Sequence, residues 1–173
     1  NGNIKMDAFN TIGNVGIFSI NGGEATNNAT ITVGYTEIPL SANIKGSYGI
    51  GMAAGFNGDA TTSAFTGNIT NNGIIDVNGN NGIGMAGVTS DIINKGVINL
   101  NGNSGTGMLG NIGGSIENAG VINIGFGTDN TGVLMTQGTA VVSHSGIFGE
   151  GNVFGTTVLP SDGSKDANGN SRA

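Results

Sequence analysis

"ITNNGIIDVNGNNGIGMAG" spans residues 69–87, and "IINKGVINLNGNSGTGMLG" spans residues 92–110. The two strings align from their central glycines, Gly73 and Gly96, which lie 23 residues apart. A third string, "IENAGVINIGFGTDNTGVLM" (116–135), has its central glycine at Gly120, 24 residues further on. Inside the first string, "GIGMAG" (82–87) has the G-x-G-x-x-G spacing of a dinucleotide-binding loop. Such a loop is single, follows a buried strand, opens a helix, and has an acid about 20 residues on. Here "GIGMAA" (49–54) and "GTGMLG" (105–110) repeat the string, and the next acid, Asp91, is too near. No helical pattern follows. The glycines mark a pitch, and no cofactor is expected.

A fixed period of this length is the signature of a stacked-repeat architecture. Each unit has the same anatomy. Runs such as "IIDV", "VINL" and "VINI" alternate apolar and polar residues, as a strand does. Ile75, Ile98 and Ile122 occupy one position, with Ile31 in an earlier, looser copy. Val77, Leu100, Ile124 and Val33 occupy the position two residues on, which faces the same side. A second strand is expected to end in Met52, Met85, Met108 or Met135, after a turn made by Gly49, Gly82, Gly105 or Gly132. A third short strand carries Ile69, Ile92 and Ile116. Three short strands and three turns per ~23 residues predict an all-β chain: a right-handed, single-stranded parallel β-helix of about six coils. Equivalent side chains then stack at about 4.8 Å, the strand spacing.

The stack accounts for the composition. Glycine supplies 35 of the 173 residues and asparagine 26. Both tolerate the positive φ that recurring turns require. Asn27, Asn71, Asn94 and Asn118 share one register, and Asn80, Asn103 and Asn130 are expected to share another. Stacked amides can hydrogen-bond along such a column. Residues 1–155 are read as the stack and the polar segment 156–173 as a loop or tail. Neither end carries a clear cap, which suggests a fragment of something longer.

Charge and composition exclude several functions. Charged residues make up 9% of the chain and the net charge is −6. Nucleic-acid binding needs clustered Lys and Arg, and this chain has four scattered lysines and one arginine. There is no cysteine, hence no disulfide framework and no thiolate metal site. No apolar stretch is long enough to cross a membrane as a helix. His144 is the single histidine, so a typical zinc site is not expected. "GFGTDNTGV" (125–133) resembles half of a calcium-binding nonapeptide, but Thr131 stands where an apolar residue belongs and no copy follows. No metal is expected.

The unit N-x-G-x-I-x-h-x-G…G-x-x-M, with h apolar, resembles the passenger repeats of type V autotransporters. It is most similar to those of the large surface adhesins of fusobacteria. The match covers about residues 13–155 and is best over 69–135. The resemblance implies a β-helical stalk displayed on the bacterial cell surface and anchored in the outer membrane by a C-terminal barrel that this chain lacks. It implies neighbouring passenger coils, a surface protein or glycan of a host cell or bacterium as partner, and a role in adhesion and virulence.

An enzyme acting on polysaccharides is the competing reading, and it requires clustered carboxylates on one face. Asp76 is followed at equivalent positions by Asn99 and Asn123, so no second acid stacks on it. Asp91 and Glu117 lie one unit apart and could approach each other. "SHSG" (143–146) is not a nucleophile motif. The expected function is non-enzymatic.

Contact residues are expected in insertions, since repeat proteins place these in loops on their binding face. Segments 34–47 ("GYTEIPLSANIKGS") and 53–68 ("AAGFNGDATTSAFTGN") depart most from the unit. They supply Tyr35, Glu37 and Lys45, and Phe56, Asp59 and Phe65, as candidate binding residues. Exposed aromatics are common contact anchors. The alternative is that Tyr35, Phe56 and Phe65 fold back over the side of the rod.

Overall fold

A computed structural model describes residues 2–6, 13–34, 48–55, 66–111, 114–124, 128–135, 141–144 and 147–149. Among these residues every regular element is a strand. The strands form three parallel sheets, and the chain visits the sheets in turn, so each circuit adds one strand to each.

Sheet one has six strands: Ile4–Met6, Thr30–Val33, Ile74–Val77, Val97–Leu100, Val121–Ile124 and Ile147–Gly149. Sheet two has five: Val15–Ser19, Ile50–Ala54, Ile83–Val88, Thr106–Asn111 and Thr131–Met135. Sheet three also has five: Gly23–Asn27, Gly67–Asn71, Ile92–Asn94, Ser115–Asn118 and Val141–His144. Every neighbouring pair is parallel, for example Ile98 beside Ile75 on one side and Ile122 on the other. The described residues form a parallel β-helix with five full circuits and one added strand in sheet one.

The core is a set of columns. Sheet one contributes Ile31, Ile75, Ile98 and Ile122, each 0% exposed, with Val33, Val77, Leu100 and Ile124 two residues on. Sheet three contributes Ile69, Ile92 and Ile116. Sheet two contributes Ile17, Met52, Met85, Met108 and Val133. One circuit alone cannot enclose an apolar interior. Each level buries its side chains against the levels above and below, so stability arises between neighbours.

Two expectations about sheet two are corrected. Met135 does not continue the methionine column: Val133 pairs with Met108, and Met135 pairs with Gly110. The third unit carries extra residues in its turn, so Thr131 stands beside Thr106 at a spacing of 25. Aligning on methionine slips the strand by two residues. That slip preserves the alternation of faces and therefore leaves no trace in the apolar pattern. By the same shift Gly132 belongs beside Gly107, its carbonyl oxygen 2.5 Å from where a Cβ of Gly107 would lie. Gly105 instead meets Asn130, whose Oδ1 accepts from its amide at 2.6 Å. Asn130 therefore leaves the column of Asn80 and Asn103, and Thr128 takes that place, donating its amide to Asn103 Oδ1.

The turn into sheet two is also built differently from expectation. Its left-handed residues are Gly13, Tyr48, Asn81, Ser104 and Asp129, with φ between 53° and 74°. Gly49, Gly82 and Gly105 follow them and are not left-handed. These glycines are required for space. A Cβ on Gly82 would sit 2.5 Å from Val77 Cγ1, and one on Gly49 would sit 3.2 Å from Val33 Cβ. The remaining glycines of "GIGMAG" have the same role. A Cβ on Gly84 would lie 2.7 Å from Ile98 Cγ2, and one on Gly87 would lie 2.8 Å from Ile92 Cγ2. All three glycines make room for the apolar columns opposite.

Candidate functional site

The positions that could carry chemistry or contact lie on the outer surfaces of the three sheets and at the corners between them. At the corner from sheet three to sheet one, Asn27, Asn71, Asn94 and Asn118 form one column, each no more than 4% exposed. The side-chain amide of each donates to Oδ1 of the next at 2.8 Å. Their backbone carbonyls accept the turn amides of the following level: Asn72 and Gly73 on Asn27, Lys95 and Gly96 on Asn71, Ala119 and Gly120 on Asn94. A polar residue survives burial here because its amide is fully engaged. The column stitches the turns together and leaves no free group facing solvent for a ligand. His144 stands at the next level, beside Asn118 in register.

The outer face of sheet one carries a second, half-buried column. Asp76 Oδ1 accepts from Asn99 Nδ2 at 2.7 Å, and Asn99 Oδ1 accepts from Asn123 Nδ2 at 2.8 Å. Asp76 is the one acid in that run, capped by an amide. On sheet three, Asp91 and Glu117 do not form a pair. Ile92 pairs with Ile116, so Glu117 lies beside Ile93. Asp91 accepts instead from the Ser115 hydroxyl at 2.7 Å. Sequence spacing of one unit suggested their proximity, but the register puts them two residues apart along the strand direction. Among the described residues no three His, Cys, Asp or Glu side chains gather as a metal site.

The insertions leave the rod at defined corners. Sixteen residues separate Val33 from Ile50, against five between Val77 and Ile83 at the same corner one level on. The second insertion joins sheet two to sheet three between Ala54 and Gly67. Tyr35, Glu37, Lys45, Phe56, Asp59 and Phe65 lie outside the described residues. What is described is the ground around them. Tyr48, at the end of the first insertion, is 56% exposed. Gly55, at the start of the second, lines an apolar groove on the outer face of sheet two, together with Val15, Phe18, Ile50, Ala53 and Ala86. Sequence reasoning missed this groove: Phe18, Ala53 and Ala86 come from different units, and the register places them side by side.

A three-sheeted parallel coil of this kind has a counterpart among known families. The family model of the BigA third pectate lyase-like domain matches residues 1–120. The chain belongs to that family. The match spans the insertions and the first four levels of the BigA-type coil, as far as Gly120 in the turn before Val121–Ile124. No curated protein and no solved structure matches the chain. No helix among the described residues is long and apolar enough to cross a membrane.

Proposed function

We propose that this BigA-type domain is a non-enzymatic segment of a bacterial surface adhesin. It is a stiff rod that holds laterally inserted loops away from the cell for contact with a protein or glycan on a host cell or another bacterium. The observation that carries this reading is the state of the outward acids. Asp76 is capped by Asn99, and Asp91 by Ser115. Hydrolysis of a polysaccharide requires at least two cooperating acid–base groups within reach of one bond. Asp76 and Asp91 are each held by an amide or a hydroxyl, and Glu117 lies two residues out of register with Asp91. Family membership and the resemblance to autotransporter passengers support display at the cell surface, with anchorage through an outer-membrane barrel in the parent protein. The candidate contact residues remain Tyr35, Glu37, Lys45, Phe56, Asp59 and Phe65.

The runner-up is a polysaccharide-binding or polysaccharide-cleaving domain, favoured by the pectate lyase-like family. One experiment separates the two. The purified chain is incubated with pectate and a panel of other glycans, and is also tested for retention on epithelial and bacterial cells. The adhesive reading expects intact glycans and cell binding that falls when 35–47 and 56–65 are each replaced by the short turns of the next level. Shortened glycan chains would establish the alternative.

A further inference from the structure

We propose that His144 makes the last described level of sheet three acid-sensitive: neutral histidine continues the buried asparagine column, and protonated histidine interrupts it and loosens that level. The column has a direction. Asn27 Nδ2 donates to Asn71 Oδ1, Asn71 Nδ2 to Asn94 Oδ1, and Asn94 Nδ2 to Asn118 Oδ1. The same three amides also donate to the backbone carbonyls of Ile74, Val97 and Val121, each opening the next strand of sheet one. Each level thus needs a side-chain acceptor on the level that follows, and asparagine supplies it three times running. Val141–His144 is in register with Ser115–Asn118, which puts His144 at the position after Asn118.

Histidine is a residue whose acceptor depends on pH. A neutral imidazole has one N–H and one bare nitrogen that accepts, whereas an imidazolium has two N–H groups and accepts nothing. The ordinary pKa of about 6.5 puts this change within mild acidification. Asn118 is 0% exposed. A buried donor that loses its acceptor is destabilising, and so is a buried charge without a partner. Among the described strands no carboxylate offsets the charge. The strands of the same circuit and the paired strand are Thr131–Met135, Ile147–Gly149 and Ser115–Asn118. Glu117 is their one charged residue. It pairs with Ser143, one position from the column and therefore on the opposite face of the sheet.

The sign follows from linkage. The folded chain favours neutral histidine, so the unfolded chain binds the proton more tightly. The stabilisation is complete above about pH 6.5 and is lost as pH falls below it. Levels of a solenoid contact only their neighbours, so the loss is confined to that end.

His144 is the single histidine, so its ring titrates alone in NMR spectra of the full chain. Its pKa is expected below about 6.5, and a value at or above that overturns the proposal. Hydrogen-exchange protection, corrected for the chemical exchange rate at each pH, separates the column from burial alone. From about pH 7.5 to about pH 5, Ser115–Asn118 and Val141–His144 are expected to lose protection about tenfold while Gly67–Asn71 keeps its own. His144→Asn supplies an acceptor that no proton removes, and is expected to keep its protection at both pH values. His144→Ala supplies none, and is expected to be less protected than His144→Asn at both. Wild-type protection that ignores pH, a His144→Asn variant that loses protection as wild type does, or a His144→Ala variant protected as well as His144→Asn each overturns the proposal.

Discussion

The side-chain amide of Asn71 donates to Oδ1 of Asn94 at 2.8 Å, although 23 residues of chain separate them. Asn71 Oδ1 in turn accepts from Asn27 Nδ2 and from the Gly73 amide. One residue thus ties three successive levels at a corner that water does not reach. Replacing it with alanine removes the acceptor of one Asn27 Nδ2–H, which keeps only its bond to the Ile74 carbonyl, and the donor to Asn94 Oδ1, at about 1–3 kcal/mol for each buried group left unpaired. Asn71→Ala is expected to lower unfolding free energy by about 2–4 kcal/mol in urea titration. Asn72→Ala, which removes only an exposed bond to Asn28, is expected to change it by less than about 0.5 kcal/mol.

Gly84 tests whether the repeated "G-x-G" is a matter of space. A methyl group there would lie 2.6 Å from the Gly107 carbonyl oxygen and 2.7 Å from Ile98 Cγ2. The first of these is backbone and cannot rotate away. Gly84→Ala is expected to cost about 1–3 kcal/mol through overpacking, read as a fall in Tm. The double variant Gly84→Ala with Ile98→Ala removes Cγ2 from the clash, so its loss should be smaller than the sum of the two single losses. Additive losses would show that the two positions do not touch.

Tyr48 holds a left-handed conformation, with φ 61°, at a corner where Gly13, Asn81, Ser104 and Asp129 do the same. Such a residue carries about 1–2 kcal/mol of backbone strain unless it is glycine, with asparagine and aspartate affected least. Tyr48→Gly is expected to raise stability by about 0.5–1 kcal/mol, the gain being reduced by the greater freedom of glycine when unfolded. Asn81→Gly should give a smaller gain. A Tm that falls on Tyr48→Gly would assign the exposed ring a structural contact.

The architecture was legible because burial in a coil imposes one pattern at every level. The position shared by Ile75, Ile98 and Ile122 could not vary without opening a cavity, so its period survived in the sequence. The turn before sheet two was less legible. Its left-handed position accepts tyrosine, asparagine, serine or aspartate, and the glycine next to it drew attention instead. The slip that put Met135 in place of Val133 had a similar origin, since a two-residue shift keeps the inward face inward. The apolar outer face of sheet two escaped notice because Phe18, Ala53 and Ala86 come from different units, at spacings that the first two insertions disrupt. Register alone brings them side by side.

Ile98 sits in the middle of the stack at 0% exposure. Ile98→Ala is expected to cost about 2–5 kcal/mol through lost burial and a residual cavity. In a solenoid each level contacts only its neighbours. Hydrogen exchange should therefore accelerate most in Ile74–Val77 and Val121–Ile124, the strands on either side, and least in Thr30–Val33. Uniform acceleration across all described strands would indicate a single global core in place of stacked levels.

The measurement that bears most directly on the stacked coil is cysteine pairing across one level. Thr70 and Ile93 face outward on adjacent strands of sheet three and are in register. In-register neighbours lie about 4.8 Å apart, within the Cα separation a disulfide accepts. Asn68 lies two residues out of register with Ile93, which adds about 6.6 Å along the strand and puts the pair beyond that range. The double variant Thr70→Cys with Ile93→Cys is expected to oxidise within the chain readily and raise the Tm, whereas Asn68→Cys with Ile93→Cys should remain reduced under the same conditions. Equal oxidation of both pairs, or preferential oxidation of the second, would contradict the register on which the coil, its asparagine column and its apolar face all depend.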